Sequence, residues 1–160
     1  MTGNDTDWPQ EAMEIQSQIQ DQIVLGSRLS EMERVPAWVD TLAMRHGIVE
    51  KVRFAIYLCL EEALSNAIRH GYADKDGHSV TVRFTQPTEG YFVFTIDDDA
   101  AHFNPLDLPT LPLINQDIAQ IGGQGIRLLR GFSDKLEYEA TATGNRLRIG
   151  FSNTPKHPAK

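Results

Sequence analysis

Apolar residues recur along this chain with two different periods, and the changeover between them sketches a fold. From Met32 to His46, Val35, Trp38, Val39, Leu42 and Ala43 fall at helical spacing, with Gly47 as a stop. Pro36 stands in the first turns of that helix, where a missing amide hydrogen costs least. A second helix from about Glu50 to Gly71 carries Val52, Ile56, Cys59, Ala63 and Ala67 as a stripe about 100° around it. Strand-like runs flank these helices. Asp21 to Ser27 reads as a first strand. Ser79–Thr85 and Tyr91–Ile96 alternate around Gln86-Pro87-Thr88-Glu89-Gly90, a hairpin signature. Residues 97–122 are rich in Asp and Pro and read as a long connection, followed by a helix from near Gly125 through Arg130. Lys135–Ala140 and Arg146–Phe151 then form a second hairpin around Thr143-Gly144-Asn145. The order β-α-α-β-β-loop-α-β-β predicts an α+β, two-layer sandwich: a mixed, mainly antiparallel sheet with helices on one face.

The ends narrow this to one domain. Residues 1–19 are polar and Gln-rich, a tail with some helical character; residues 20–153 carry the domain and 154–160 a short second tail. At 160 residues there is room for one substantial core, and no internal repeat divides it. A formal net charge of −7 argues against a nonspecific binder of nucleic-acid backbone. No apolar run approaches the ~20 residues that span a bilayer, and the polar, acidic start is unlike a signal peptide. The single cysteine, Cys59, falls on the apolar side of its helix, which makes it a buried thiol rather than a nucleophile. A cytoplasmic protein without direct nucleic-acid or membrane contacts is expected.

The chemistry is concentrated in three segments. On the second helix, Glu62 and Asn66 are four residues apart and share a face at the rim of the apolar stripe. A carboxylate and an amide so placed suit a metal–triphosphate site, the amide oxygen as a Mg²⁺ ligand and the acid polarising an attacking hydroxyl. Downstream, Tyr91–Ile96 runs into Asp97-Asp98-Asp99 and then Phe103-Asn104-Pro105. Beyond the long connection, Gly122-Gly123-Gln124-Gly125-Ile126 opens a helix, where bare amide hydrogens and the helix's positive end suit a phosphate. A dinucleotide fingerprint starting at Gly123 would need a small residue where Leu128 stands, and a P-loop would need Gly-Lys-Ser/Thr, which is absent. Spacings for calcium or zinc are also lacking. Trp8 and Trp38 read as packing residues.

Taken in order, Glu62-x-x-x-Asn66, the Asp98 segment with Phe103-Asn104-Pro105, and Gly122 to Ile126 resemble the GHKL (histidine kinase-like) ATPase superfamily. More narrowly, the chain resembles a stand-alone anti-sigma-factor serine/threonine-protein kinase, from about Asp21 to Phe151. The resemblance implies the Bergerat-type ATP-binding fold and a kinase, a transferase that uses Mg-ATP. Glu62 would be the general base and Asn66 the Mg²⁺ ligand. Asp98 would accept a hydrogen bond from the adenine amino group, with Ala100 and Phe103 beside it. Residues about 106–121 would be an ATP lid hinged at Gly122. Gly123 and Gly125, flanking Gln124 and followed by Ile126, would place amides on the phosphates, and Arg69 and His70 would approach phosphate or lid. The implied partners are a STAS-fold anti-sigma-factor antagonist as the phosphate acceptor, a sigma factor as competing ligand in transcription regulation, and a second copy of the chain in a homodimer. One departure matters. The family usually has Asp-x-Gly where this chain has Asp98-Asp99-Ala100. If that backbone needs positive φ, alanine costs on the order of 1 kcal/mol, and its methyl would crowd the base. The alternative is therefore a catalytically eroded nucleotide-binding or partner-sequestering module.

Overall fold

The computed structural model describes residues 19–73, 76–107 and 123–154, with residues 123 and 124 described by backbone only. Both expected tails, apart from residues 19 and 154, lie outside the described residues, as do Gly122 and most of the expected lid. Strand β1 (Asp21–Gly26) leads through a 3₁₀ turn, Leu29–Arg34, into α1 (Val35–His46). Helix α2 (Glu50–Asn66) continues as a π-helical segment, Ala67–Gly71; β2 (Ser79–Thr88) and β3 (Tyr91–Asp98) form a hairpin; a 3₁₀ turn spans Pro105–Asp107. Helix α3 (Gly123–Phe132) precedes the hairpin of β4 (Lys135–Ala140) and β5 (Asn145–Ser152).

The larger departures from expectation each have a local reason. The first helix begins at Val35 rather than Met32, because the preceding turn is wound as 3₁₀ and Pro36 then sits in the opening α-turn. Gly47 does end it, in the left-handed region at φ 66°. Strand β2 runs past Thr85 to Thr88, since a register shift between those residues absorbs Pro87, which has no amide hydrogen to give a ladder. The second helix keeps its expected length but changes pitch at Ala67.

The five strands lie in the order β1-β2-β3-β5-β4, and all four pairings are antiparallel. The mixed sheet expected from sequence is corrected to this extent. Strands β3 and β4 run in the same direction, but β5 inserts between them and pairs antiparallel with both. The helices cover one face. There Leu25, Val80, Val82, Phe84, Phe92, Phe94, Ile96, Ile149 and Phe151 meet Val39, Leu42, Ile56, Cys59, Leu60, Leu64, Ile68, Ile126 and Leu129 in one buried cluster. The other face carries charge. Asp97 pairs with Arg83 and Arg146, and Arg148 pairs with Glu137 and Glu139. This is the inside-apolar, outside-polar alternation of a sheet covered on one side. No helix among the described residues is long and apolar enough to cross a membrane.

A candidate nucleotide site between helices and sheet

On α2, the i,i+4 spacing does what the sequence predicts: the Asn66 side-chain amide donates to Glu62 Oε1 at 3.0 Å. With its nitrogen so engaged, the Asn66 carbonyl oxygen is a hard donor that has no partner among the described residues. Helix α3 packs against α2 with its glycine end toward Glu62. A Cβ built on Gly125 would overlap the Glu62 carboxylate, whose Oε1 is the nearest atom to it. The carboxylate thus rests on bare backbone in the first turns of α3, at the positive end of that helix. Only glycine permits this approach.

Beside these groups lies a cavity of about 310 Å³. Ala63, Asn66, Ala67, His70 and Gly71 form one wall, and Ile96, Asp98 and the loop from Ala100 to Phe103 form a second. Pro105, Leu129, Tyr138, Asn145 and Leu147 complete it. The lining is mostly apolar with a few convergent polar groups, as small-molecule sites are. Asp98, at the end of β3, accepts from the Ala100 amide at 3.0 Å and from Asn145 Nδ2 at 2.8 Å, both on Oδ1. Its Oδ2 has no partner among the described residues.

The structure brings together most, though not all, of the residues singled out by sequence. Asn66, His70, Asp98, Ala100 and Phe103 line the cavity, and Glu62 stands at its edge through Asn66 and Gly125. Phe103 is 46% exposed, with its ring 6.5 Å from that of His70 at the mouth. Gly123 and Gln124 belong to the first turn of α3. Ile126 is fully buried in the core, and Arg69 is exposed on the π-helical segment without joining the cavity wall. Helical spacing gives the reason: His70, four residues after Asn66, reaches the cavity edge and Ile68, four after Leu64, enters the core, which leaves Arg69 turned outward.

Ala100 is relieved of the strain feared for it. Among the described residues Ala73 (φ 51°) is the only non-glycine with positive φ, so the Ala100 backbone carries no such penalty. Its methyl points to Gly71, where a built Cβ would come within 2.9 Å. Alanine fits here because glycine faces it. Behind the wall, Tyr72 OH donates to Asp99 Oδ1 and accepts from the Asp99 amide at 2.8 Å, while the His78 ring stacks on Tyr72 at 4.6 Å. The Tyr72 hydrogen bond, ahead of that from His78, holds the Asp99 carboxyl below its ordinary value. Cys59 is inert as expected: burial pushes its thiol up to about 12.

Asn145 and Tyr138 were missed by sequence reading, which took Asn145 as a turn residue. A signal existed. Asn145 is the single polar member of the inward-facing series Asn145, Leu147, Ile149, Phe151 on an alternating strand. It is 7% exposed.

Fold and cavity together define a histidine kinase-like ATPase domain, and the chain belongs to that family: residues 25–151 match the profile of the Histidine kinase-like ATPase domain. Among characterised relatives it is similar to the serine/threonine-protein kinase BtrW of Bordetella bronchiseptica, with 31% identity over 121 residues, 74% of this chain and 84% of that protein. Among solved structures it is similar to the RsbU and RsbW domains of Rv1364c from Mycobacterium tuberculosis, with a TM-score of 0.57 at 14% identity. That match covers 83% of this chain but 32% of the other, so it bears on the fold alone.

Proposed function

We propose that this protein is an anti-sigma-factor-type serine/threonine kinase that binds Mg-ATP in the cavity and phosphorylates a STAS-fold antagonist protein. One observation carries the reading. Glu62 is held by Asn66 and lies against the glycine backbone of α3, at the edge of an apolar cavity that contains Asp98. The base would enter the apolar cavity, with its amino group donating to Asp98. The phosphates would lie toward the amide hydrogens of the α3 N-terminus, with Gly122 and the segment from about 106 to 121 folding over them and His70 and Phe103 at the mouth.

The residues fit a divalent cation. Among the described residues no three His, Cys, Asp or Glu side chains cluster, so a cation would be held by the Asn66 oxygen, water and the nucleotide's own phosphates, which is how Mg²⁺ is usually bound in such sites. Bound there, Mg²⁺ supplies charge neutralisation on the phosphates. Glu62 accepts the proton of the partner's hydroxyl as the oxygen attacks the γ-phosphorus. The bond to the β-phosphate oxygen breaks and ADP leaves. Asn66 orients Glu62 for this by donating to Oε1, and the apolar walls exclude water that would compete with the hydroxyl.

Phosphorylation would switch the antagonist's affinity, with a sigma factor as the competing ligand and a homodimer as the working form in the cytoplasm. The backbone objection drawn from Ala100 does not apply, since that residue has no positive φ, and the alternative of a module without catalysis rests on its methyl in the cavity wall. The test is Glu62→Gln, with labelled ATP, Mg²⁺ and a STAS-fold acceptor. Transfer should fall by about a hundredfold or more, while ATP affinity stays within a few-fold. Transfer undiminished in this variant would remove Glu62 as the base. Tight acceptor binding with no transfer by the wild-type protein would reject the kinase reading.

A further inference from the structure

Helices α2 and α3 meet at Glu62, and they meet again away from the cavity. Glu62 lies against the backbone of Gly125, while Phe54 on α2 meets Phe132 on α3 with ring centres 6.5 Å apart and planes at 79°. From one contact to the other, α2 is followed backwards along the chain and α3 forwards, so the two helices lie antiparallel along a seam about 12 Å long. Leu58 and Leu128, both half-buried, fall between the contacts at helical spacing. The phenylalanine end of the seam faces water: Phe54 is 56% exposed and Phe132 46%. Gly131, on the solvent side of α3, is exposed as well, and a Cβ built on it meets nothing within 4 Å. The result is an apolar strip with a notch beside one ring, rimmed by the exposed residues Lys51, Glu61 and Arg130. Aromatic side chains inside a polar rim are the makeup of a protein interface. Rings already packed on each other also lose little freedom when a partner covers them.

We propose that Phe54 and Phe132 are the docking site for the phosphate-acceptor protein, so placed that one protein surface covers both the rings and Glu62. This rests on the reading of Glu62 as the base of a protein kinase, and it says where the acceptor is held. Position decides the occupant. A standard interface covers about 800 Å² on each partner and is roughly 30 Å across. A protein that brings its hydroxyl to Glu62 along the seam therefore also covers rings about 12 Å away. A second copy of the chain seated on the same strip would close that approach, so a working kinase leaves the strip to its acceptor. The acceptor presents an apolar side chain to the notch at Gly131. Neither ring lines the cavity, so the pair acts on acceptor affinity and leaves nucleotide binding and the chemical step alone.

Binding of a STAS-fold acceptor and steady-state transfer to it are measured for the wild-type protein, Phe54→Ala, Phe132→Ala and Gly131→Gln, with ATP affinity by calorimetry alongside. Either alanine variant should raise the acceptor Kd and KM by about tenfold or more, with kcat at saturating acceptor and ATP affinity within about twofold of wild type. Phe54→Leu should recover part of the loss. Gly131→Gln removes no side-chain contact and suits a helix better than glycine does. It fills the notch in a chain that still folds, and it should weaken acceptor binding while ATP binding persists. Acceptor affinity unchanged in Gly131→Gln and in both alanine variants overturns the docking site. So does a loss of self-association in sedimentation with acceptor affinity unchanged, which gives the strip to a second copy. A wild-type protein that transfers nothing to the acceptor overturns instead the kinase reading beneath it.

Discussion

Glu62 and Asn66 were legible because their relation is local: four residues on a helix put two side chains on one face whatever the rest of the chain does. Asn145 was not, since a polar residue at a hairpin turn looks ordinary until the turn is seen against a strand end 47 residues away. Ala100 shows the same limit in reverse. Its doubt came from a resemblance to chains with glycine there, and the resolution lies in a contact with Gly71 that no spacing reveals. The contact is testable. Gly71→Ala should drive two methyl groups together and cost about 1–3 kcal/mol in urea unfolding, with a loss of ATP affinity as the wall shifts. Ala100→Gly in the same background should recover part of both, giving a coupling energy above about 0.5 kcal/mol. Strictly additive effects would mean that the two residues do not share space as described.

At the scale of elements, the hydrophobic periods located every helix and strand described, and the errors lay where a period is interrupted: a 3₁₀ start at Leu29, a register shift around Pro87, a change of pitch at Ala67. Such interruptions depend on what the neighbouring element requires. The π-helical segment, for example, is anchored at its end by Tyr72, whose hydroxyl joins α2 to the end of β3 through Asp99. The sign of the pH dependence follows from the lowered Asp99 carboxyl. A group whose folded value lies below its ordinary 3.8 adds stability that is complete above that value and is lost as pH falls through the folded one. Tyr72→Phe should therefore cost about 1 kcal/mol at pH 7, a modest figure because Asp99 is substantially solvent-screened. The gap between variant and wild type should narrow in urea melts taken at progressively more acid pH below 3.8. A gap that stays constant to the lowest pH would assign the loss to packing around the ring instead.

For the whole molecule, the cavity exists because α2, α3 and the β3–β5 region of the sheet converge, so a ligand that fills it should be linked to global stability. Nucleotide at about a hundred times its Kd adds about 2.7 kcal/mol to a protein that binds it only when folded. For a chain of this size that is roughly a 5–10 °C rise in Tm. The rise should be larger with Mg²⁺ than with chelator, and Asn66→Ala should abolish that difference while keeping most of the metal-free shift. A Mg²⁺ effect that persists in Asn66→Ala would take the metal role away from this residue.

What the chain's own order determined is whatever depends on near neighbours: which stretches are helix or strand, the acid–amide pair on α2, the glycine-headed start of α3, and the family to which those three segments point. Periodicity and short-range sterics suffice for these, since each is complete within a few turns. Tertiary structure alone decided that β5 lies between β3 and β4, that Gly125 admits the Glu62 carboxylate, that Gly71 makes room for Ala100, and that Asn145 closes the wall beside Asp98. Each is a contact between residues distant along the chain. The excluded volume and hydrogen-bond partners that decide it exist only once the layers have packed.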